Sequence, residues 1–356
     1  MPGRILQDSG CAAMADTETA TPGLTGCFGK GVARLDEVPP AARQALLALP
    51  AAAAAHDQAQ AGIPAFRQVE LGGTVTAPAP AGPLRVAAWN LERCLYPEAS
   101  AALLRRHGAA LALLSEMDLG LHRTGQRHTT RDLAAALGHR YGFALEFLEL
   151  AVMPAPFAMP GNPAENLLGF HGNGFTAALP CRNPVVIRLA AEADWFVAPK
   201  GGQKRIGNRM AVAATFTHEG RDFVGCAVHL ESRSDFAGRA RQMAQLLDAI
   251  DTYADGLPVV IGGDLNTGVE ASAGLAETRE RLFAESAARG YDWAACNQAA
   301  PTTRSSTWSA GAGTRQLDWF CTRGFRASAP AVVPAVAEDG TVLTDHDLIL
   351  VTLDFR

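Results

Sequence analysis

From residue 84 onward, hydrophobic and polar positions follow one repeated pattern: a short apolar run that stops on a small set of polar residues. Residues 84–89 stop at Asn90 and Glu92, and residues 109–114 stop at Ser115, Glu116 and Asp118. Residues 259–261 pass through Gly262 and Gly263 to Asp264 and Asn266. Apolar runs this short, bounded by glycine or polar residues, predict buried strands. Alternation over 141–150 predicts another, residues 169–179 enter one through glycines, and 184–189 supply the next. Residues 210–217 and 223–228, joined by His218-Glu219-Gly220-Arg221, predict a hairpin whose second arm ends at His229. Helices are predicted at 98–107, from a Thr129 or Thr130 cap to Leu137 with Gly138 as the stop, at 235–253 and near 275–289. Many strands, several of them hairpin-like, predict an α+β fold: two mostly antiparallel sheets packed together with helices outside.

The chain before residue 84 has a different texture. Residues 1–30 are small and polar, 38–50 predict a short helix stopped by proline, and 74–83 form a Pro/Ala/Gly linker. Residues 1–80 are therefore expected to be a loosely attached extension, with the organised domain spanning 84–356. Deleting the extension is expected to spare the chemistry. Two loops stand out within the domain. Residues 152–163 carry Met153, Phe157 and Met159 among prolines, which suits either a substrate wall or a surface excursion. Residues 200–209 hold Lys200, Lys204, Arg205 and Arg209, a phosphate contact or a solvated hairpin loop. Arg239 and Arg241 pose the same choice, with helix-surface ion pairs as their ordinary use.

Composition narrows the function. With 48% hydrophobic and 19% charged residues, the 356-residue chain is a soluble globular protein with ample core. Its net charge of −5 gives no basic footprint for tight nucleic-acid binding, which disfavours a long duplex substrate. The seven cysteines are scattered and never form a C-x-x-C pair, which argues against a zinc cluster or disulfide framework. Cys226 and Cys321 sit in apolar runs as small hydrophobes. With no apolar signal region and no run of membrane-span length, the expectation is a cytoplasmic protein without stable membrane insertion or an obligate protein partner.

The polar residues that close the apolar runs carry the chemistry. Asp264 and Asn266 lie two apart, on one side of an alternating strand, where a carboxylate and an amide suit the orientation of a small polar molecule such as water. An Asx-turn after a strand gives the same composition. Asn90/Glu92, Glu116, His229, Asp264/Asn266, Asp318 and Asp345/His346 make six such ends. All are hard-oxygen donors, amides or histidines, and none is a cysteine.

The motifs WNLE (89–92), LSEMD (114–118), HGNG (171–174), VHLES (228–232), GGDLNT (262–267), LDWF (317–320) and TDHD (344–347) run in order through residues 84–356. In these the chain resembles the endonuclease/exonuclease/phosphatase family of metal-dependent phosphoesterases, which includes apurinic endonucleases, pancreatic-type DNases, sphingomyelinases, inositol polyphosphate phosphatases and deadenylases. The resemblance implies a four-layered, DNase I-like α/β sandwich with its site at one end, and in-line attack of water on phosphorus assisted by Mg²⁺ or Mn²⁺. It implies Glu116 as the main metal ligand, with Asn90 and Asp345 beside it and Glu92 as ligand or neighbour. Asp264 would take the proton from water, Asn266 would orient the water or the phosphate, and His229 would donate to a non-bridging oxygen. His346, backed by Asp318, would form a charged pair near the phosphate. His171, Asn173, Arg205 and Arg209 are candidates for contacting or shaping the phosphate site. Asp347 follows the Asp-His pair where many relatives carry a neutral or basic residue, and is read as an outer group or the first exposed position of the last strand. The expected substrate is a small or lipid-like phosphoester, with nucleic acid as the alternative and a non-catalytic binding module third, because every catalytic group is present.

Overall fold

A strand that is apolar on both faces needs cover on both sides, and the fold supplies it in four layers. The computed structural model describes residues 25–78, 80–152, 165–199, 203–267, 279–309 and 315–356. In chain order, β1 (Gly26–Phe28), β2 (Lys30–Val32), α1 (Pro40–Leu47), α2 (Ala53–Gly62) and β3 (Gln68–Gly72) precede β4 (Leu84–Arg93). Next come α3 (Pro97–Arg106), β5 (Leu111–Leu119), α4 (Thr129–Leu137), β6 (Arg140–Glu149), β7 (Phe170–Ala177), β8 (Cys181–Arg188) and β9 (Arg205–Gly207). β10 (Met210–His218), β11 (Arg221–His229), α5 (Phe236–Ala254), β12 (Val259–Asp264), α6 (Arg281–Ala288), β13 (Asp318–Arg323), β14 (Phe325–Val333) and β15 (Leu348–Phe355) follow.

One sheet has the order β1-β8-β10-β11-β12-β13 and the other β14-β15-β4-β5-β7-β6-β3-β2, with β9 on β6. Pairing is antiparallel except for β11/β12, β4/β5 and β2/β3. Alternate residues of β4 and β5 show the layering. Val86, Ala88, Leu111 and Leu113 face the other sheet, against Val212, Phe216, Val260 and Phe320. Ala87, Trp89, Ala112 and Leu114 face outward, with Leu104 of α3 and Leu133 of α4. Across the sandwich, Ala211, Ala213, Val228 and Ile261 pack with Leu246, Leu247 and Ile250 of α5. The period of two along each strand thus places a core on either side of it. The expected α+β sandwich with outer helices is the observed one.

The N-terminal part is not the loose extension expected over residues 1–80. From residue 25 it is woven into both sheets: β1 pairs with β8, and β3 joins β2 to β6. Leu35, Ile63 and Phe66 are buried in the core under the second sheet. Glu70 of β3 accepts from His128 Nε2 at 2.8 Å and from the Tyr141 hydroxyl at 2.9 Å. Strands of three to five residues carry too little alternation to be recognised, and the rest of the sandwich supplies their cover. The helix starts need one correction as well. Neither threonine caps α4; His128 does, its Nδ1 accepting from the Arg131 amide at 3.3 Å, while Gly138 ends the helix in the left-handed conformation as expected. The segment near 275–289 yields α6 from Arg281, and the Met153, Phe157 and Met159 loop lies outside the described residues. Among the described residues no disulfide forms and no helix is long and apolar enough to cross a membrane. Cys226 and Cys321 are core residues, as expected.

Candidate active site

Three neighbouring strands of the first sheet present one row of polar side chains. Parallel pairing of β11 with β12 aligns His229 with Asp264, and antiparallel pairing of β12 with β13 aligns Asp264 with Asp318. The row depends on Gly263, whose backbone (φ 150°) lies so close to β11 that a Cβ there would stand 2.0 Å from the Val228 carbonyl oxygen. The glycine therefore admits the neighbouring backbone, not a ligand. The second sheet delivers Asn90 and Glu116 from the parallel pair β4/β5. Register shifts interrupt β5 between Leu114 and Met117, and Glu116 takes a left-handed backbone (φ 56°) that re-aims its side chain. The 344–347 segment is tied to β4, because Thr344 Oγ1 donates to Asn90 O and Trp89 Nε1 donates to His346 O.

These elements converge on the Asp264 carboxylate. Its Oδ1 accepts from the Asn266 amide at 2.8 Å, which is the Asx-turn anticipated from composition. The turn leaves Oδ2 facing inward, 3.1 Å from Asn90 Nδ2, 3.5 Å from His229 Nε2 and 3.7 Å from His346 Nε2. Burial pushes the Asp264 carboxyl upward, and the neighbouring Asp318 charge adds to this against the pull of the histidines. His346 Nδ1 lies 2.7 Å from Asp318 Oδ2. Burial opposes charge on that imidazole, but Asp318 and Asp264 outweigh it and hold His346 well above the ordinary histidine range. The site thus pairs a buried carboxylate of raised basicity with a histidine that keeps its proton. Asn266 Nδ2 donates to Leu230 O at 3.0 Å, so this amide braces the β11 end.

The acidic side lies one amide away. Asn90 Nδ2 also donates to Glu116 Oε1 at 3.1 Å, and Arg93 donates to Glu116 Oε2 at 2.9 Å. Burial pushes the Glu116 carboxyl up, yet Arg93 with His229 and His171 holds it well below the usual carboxylate range. Glu92 accepts from the Asp345 amide and from Ser309 Oγ; burial and the Asp345 charge raise its carboxyl. Glu116, Asn90, Glu92 and Asp345 carry oxygen donors of the kind a hard divalent cation takes, so their chemistry fits Mg²⁺ or Mn²⁺, with Glu116 and Asn90 in direct contact and Glu92 bonded to the Asp345 amide. Ligand-capable atoms of Asp264, Asp318 and His346 also lie within 4.8 Å of one another. There the His346 Nδ1 is engaged by Asp318 at 2.7 Å, just as both Glu116 oxygens are engaged by Asn90 and Arg93.

Four expected phosphate contacts are instead buried and engaged. Arg209 donates to Glu146 at 3.2 Å and to Glu231 at 3.3 Å, and touches the His229 ring. Arg205 lies over the rings of Trp195 and Phe147 at 4.5 and 4.7 Å and donates to Gln203. His171 Nδ1 lies 2.8 Å from Asp118, inside an ion-pair network with Arg123 and Glu149. Asn173 donates to Met210 O, linking the two sheets. A basic loop reads as solvent-facing in sequence, but the acids that neutralise it come from distant strands. Asp347 is neither exposed nor part of the centre: it pairs with Arg304 and accepts from the Ala335 amide. Arg239 and Arg241 pair with Glu280 and Glu192 from other segments.

Two residues at the site went unread. Glu146 Oε2 stands 3.6 Å from His229 Nδ1, a longer approach than the 2.7 Å of Asp318 to His346, and the Arg209 guanidinium lies closer to the same nitrogen at 2.9 Å. The signal for Glu146 was a charged residue inside the apolar run Ala144-Leu145-Glu146-Phe147-Leu148. Arg93, the partner of Glu116, had no signal beyond its place beside the first motif.

No protein-family model and no curated protein sequence matches the chain. Solved structures do. An endonuclease/exonuclease/phosphatase protein from Beutenbergia cavernae aligns over 77% of this chain and 72% of its own, at 20% identity and a TM-score of 0.55. The chain has the endonuclease/exonuclease/phosphatase fold. The human Nocturnin catalytic domain, with a bound sulfate anion, shares that fold over 82% of this chain and 98% of its own, at 17% identity and a TM-score of 0.52. A Bacteroides thetaiotaomicron mannosyl-6-phosphatase shares it over 76% and 100%, at 14% identity and a TM-score of 0.51. In this chain's version of the endonuclease/exonuclease/phosphatase fold, the polar row of the first sheet and the β4/β5 ends of the second meet at Asp264.

Proposed function

We infer that the protein is a divalent-metal-dependent phosphoester hydrolase in which Asp264 activates water. The observation that carries this reading is the surroundings of Asp264 Oδ2, with an amide and two histidine Nε2 atoms within 3.7 Å. A buried carboxylate whose pKa is raised is a stronger base than a solvated one, and the Asx-turn prevents its rotation away from the centre. His346 retains its proton through Asp318 and so donates to a phosphate oxygen as charge develops there. His229, whose Nδ1 lies 2.9 Å from Arg209, donates from the other side through Nε2. Asn266 holds the base in place through its backbone amide. Mg²⁺ or Mn²⁺ held by Glu116, with Asn90, Asp345 and Glu92 around it, would supply positive charge to the phosphate.

Within this class we favour a small or lipid-like phosphodiester, because the chain is acidic overall and Arg205 and Arg209 are taken up inside the fold. A metal-dependent activity panel tests both levels. It comprises bis-p-nitrophenyl phosphate, p-nitrophenyl phosphate, single- and double-stranded DNA, RNA and a phospholipid, with a sugar phosphate added because one protein of the same fold is a mannosyl-6-phosphatase. Turnover of a small ester that Mg²⁺ or Mn²⁺ restores after chelation is the expected result. Preferential cleavage of DNA or RNA would replace the small-substrate reading with the nuclease one. No turnover of any member by the metal-loaded protein would overturn the hydrolase reading.

A further inference from the structure

The carboxylate best suited to hold a divalent cation is already held by another cation of the chain. Glu116 Oε1 accepts from Asn90 and Oε2 accepts from Arg93 at 2.9 Å. Both members of the ion pair are partly open, at 21% and 19% side-chain exposure, so the pair lies at the mouth of the site and not in the core. Among the described residues Glu116 is the one hydrogen-bond partner of Arg93, and its buried Nε donates to nothing. The backbone explains how the guanidinium gets there. Glu92, Arg93 and Cys94 are consecutive left-handed residues (φ 43°, 77° and 57°), and the β4/β5 register slips between Asn90 and Arg93. Strand alternation is broken, and the Arg93 side chain folds back across the strand end onto Glu116.

We propose that Arg93 exchanges partners: it neutralises Glu116 in the cation-free protein and, once a divalent cation occupies Glu116, turns to an anionic group of the substrate. This rests on the hydrolase reading and deepens it. A carboxylate offers about four lone-pair sites, so the neutral Asn90 amide can stay. A guanidinium and a divalent cation on one carboxylate repel each other, so the weaker occupant leaves. The released guanidinium is one amide away from Asp264, because Asn90 Nδ2 touches both carboxylates. A planar fork of donors there fits a phosphate oxygen pair. Arg209 is held by Glu146 and Glu231 and Arg123 by Asp118 and Glu149, so neither is available for this exchange. Cation and anion binding are then linked, each favouring the other.

Calorimetric or spin-resonance titration with Mn²⁺ alone tests the exchange without turnover. Arg93→Met is expected to bind Mn²⁺ roughly tenfold more tightly than wild type, since one charge-assisted hydrogen bond no longer has to break. Arg93→Lys, which keeps the charge, is expected to stay near wild type. With inorganic sulfate as the anion probe, Mg²⁺ should raise sulfate affinity in wild type several-fold more than in Arg93→Met, on the order of one guanidinium contact. If wild type binds Mn²⁺ and Arg93→Met binds it no more tightly, the exchange is refuted and the hydrolase reading stands. If wild type binds no Mn²⁺, the hydrolase reading fails and takes the exchange with it. Should Arg93→Met not fold, the Arg93 Nε resonance of wild type, assigned by its loss in Arg93→Lys, must move on adding Mg²⁺. A resonance that does not move refutes the exchange.

Discussion

At the scale of single residues, the site works by giving similar groups different surroundings. Asp264, Glu116 and Glu146 are three carboxylates within one site, and burial pushes all three up; it prevails at Asp264, while Arg93 with His229 and His171 outweighs it at Glu116 and Arg209 with His229 outweighs it at Glu146. Asp264→Asn keeps the shape and the Asx-turn acceptor but removes the proposed base. Turnover is expected to fall by about 10²–10⁴-fold with an unchanged thermal midpoint, and wild-type rates would rule Asp264 out as the base. Glu146 carries a pH signature. Burial pushes its carboxyl up, but Arg209 and His229 outweigh this and hold it at about 2 against an ordinary 4.5. A depressed carboxylate stabilises the fold fully above 4.5, and that contribution fades as pH falls towards 2. Glu146→Gln is therefore expected to be destabilised at neutral pH by roughly 3–5 kcal/mol, since Arg209 loses a buried partner. It should also show a shallower loss of stability between pH 4.5 and 2, which urea unfolding at several pH values would measure.

At the scale of elements, strand ends aim the chemistry, and their irregularities matter more than their regular parts. The alternation of β4 and β5 sets which residues are core, whereas the shifts at Asn90–Arg93 and Leu114–Met117 turn Arg93 and Glu116 towards the site. Gly263 belongs to the same scale. In Gly263→Ala a Cβ would stand 2.0 Å from Val228 O, so β12 must move away from β11 and carry Asp264 off the His229 row. A loss above about 1 kcal/mol of stability is expected, together with reduced turnover. An alanine variant with the unfolding midpoint and rate of wild type would contradict the close approach. Sequence alternation reveals that a strand exists. It does not reveal where one residue is inserted, because a bulge is a negotiation between two strands.

At the scale of the whole molecule, the sandwich does not begin where the composition changes. Deleting residues 1–80 would strip β1 from one sheet and β2 and β3 from the other, and expose Ile63, Phe66 and the core beneath them. Loss of a cooperative thermal transition is expected in place of a spared catalytic domain. A truncated protein that melts as sharply as the full chain would show that these strands are dispensable. The misreading has a physical source. Strands of three to five residues have no pattern of their own, and β8, the partner of β1, and β6, the partner of β3, lie far along the chain.

Much of this protein was legible in order along the chain. The apolar runs, the hairpin at 218–221, the stop at Gly138 and the polar residues closing each run follow from local periodicity and turn chemistry, which depend on near neighbours. The types of group that meet at Asp264 were legible too, since motif order survives folding. The state of each group was decided by the tertiary structure. Whether Arg209 is free or bound to Glu146, which carboxylate is raised and which depressed, and that Arg93 covers Glu116 all depend on side chains brought together from distant strands. Charge and burial act through space, so the same residues read along the chain carry no sign of them.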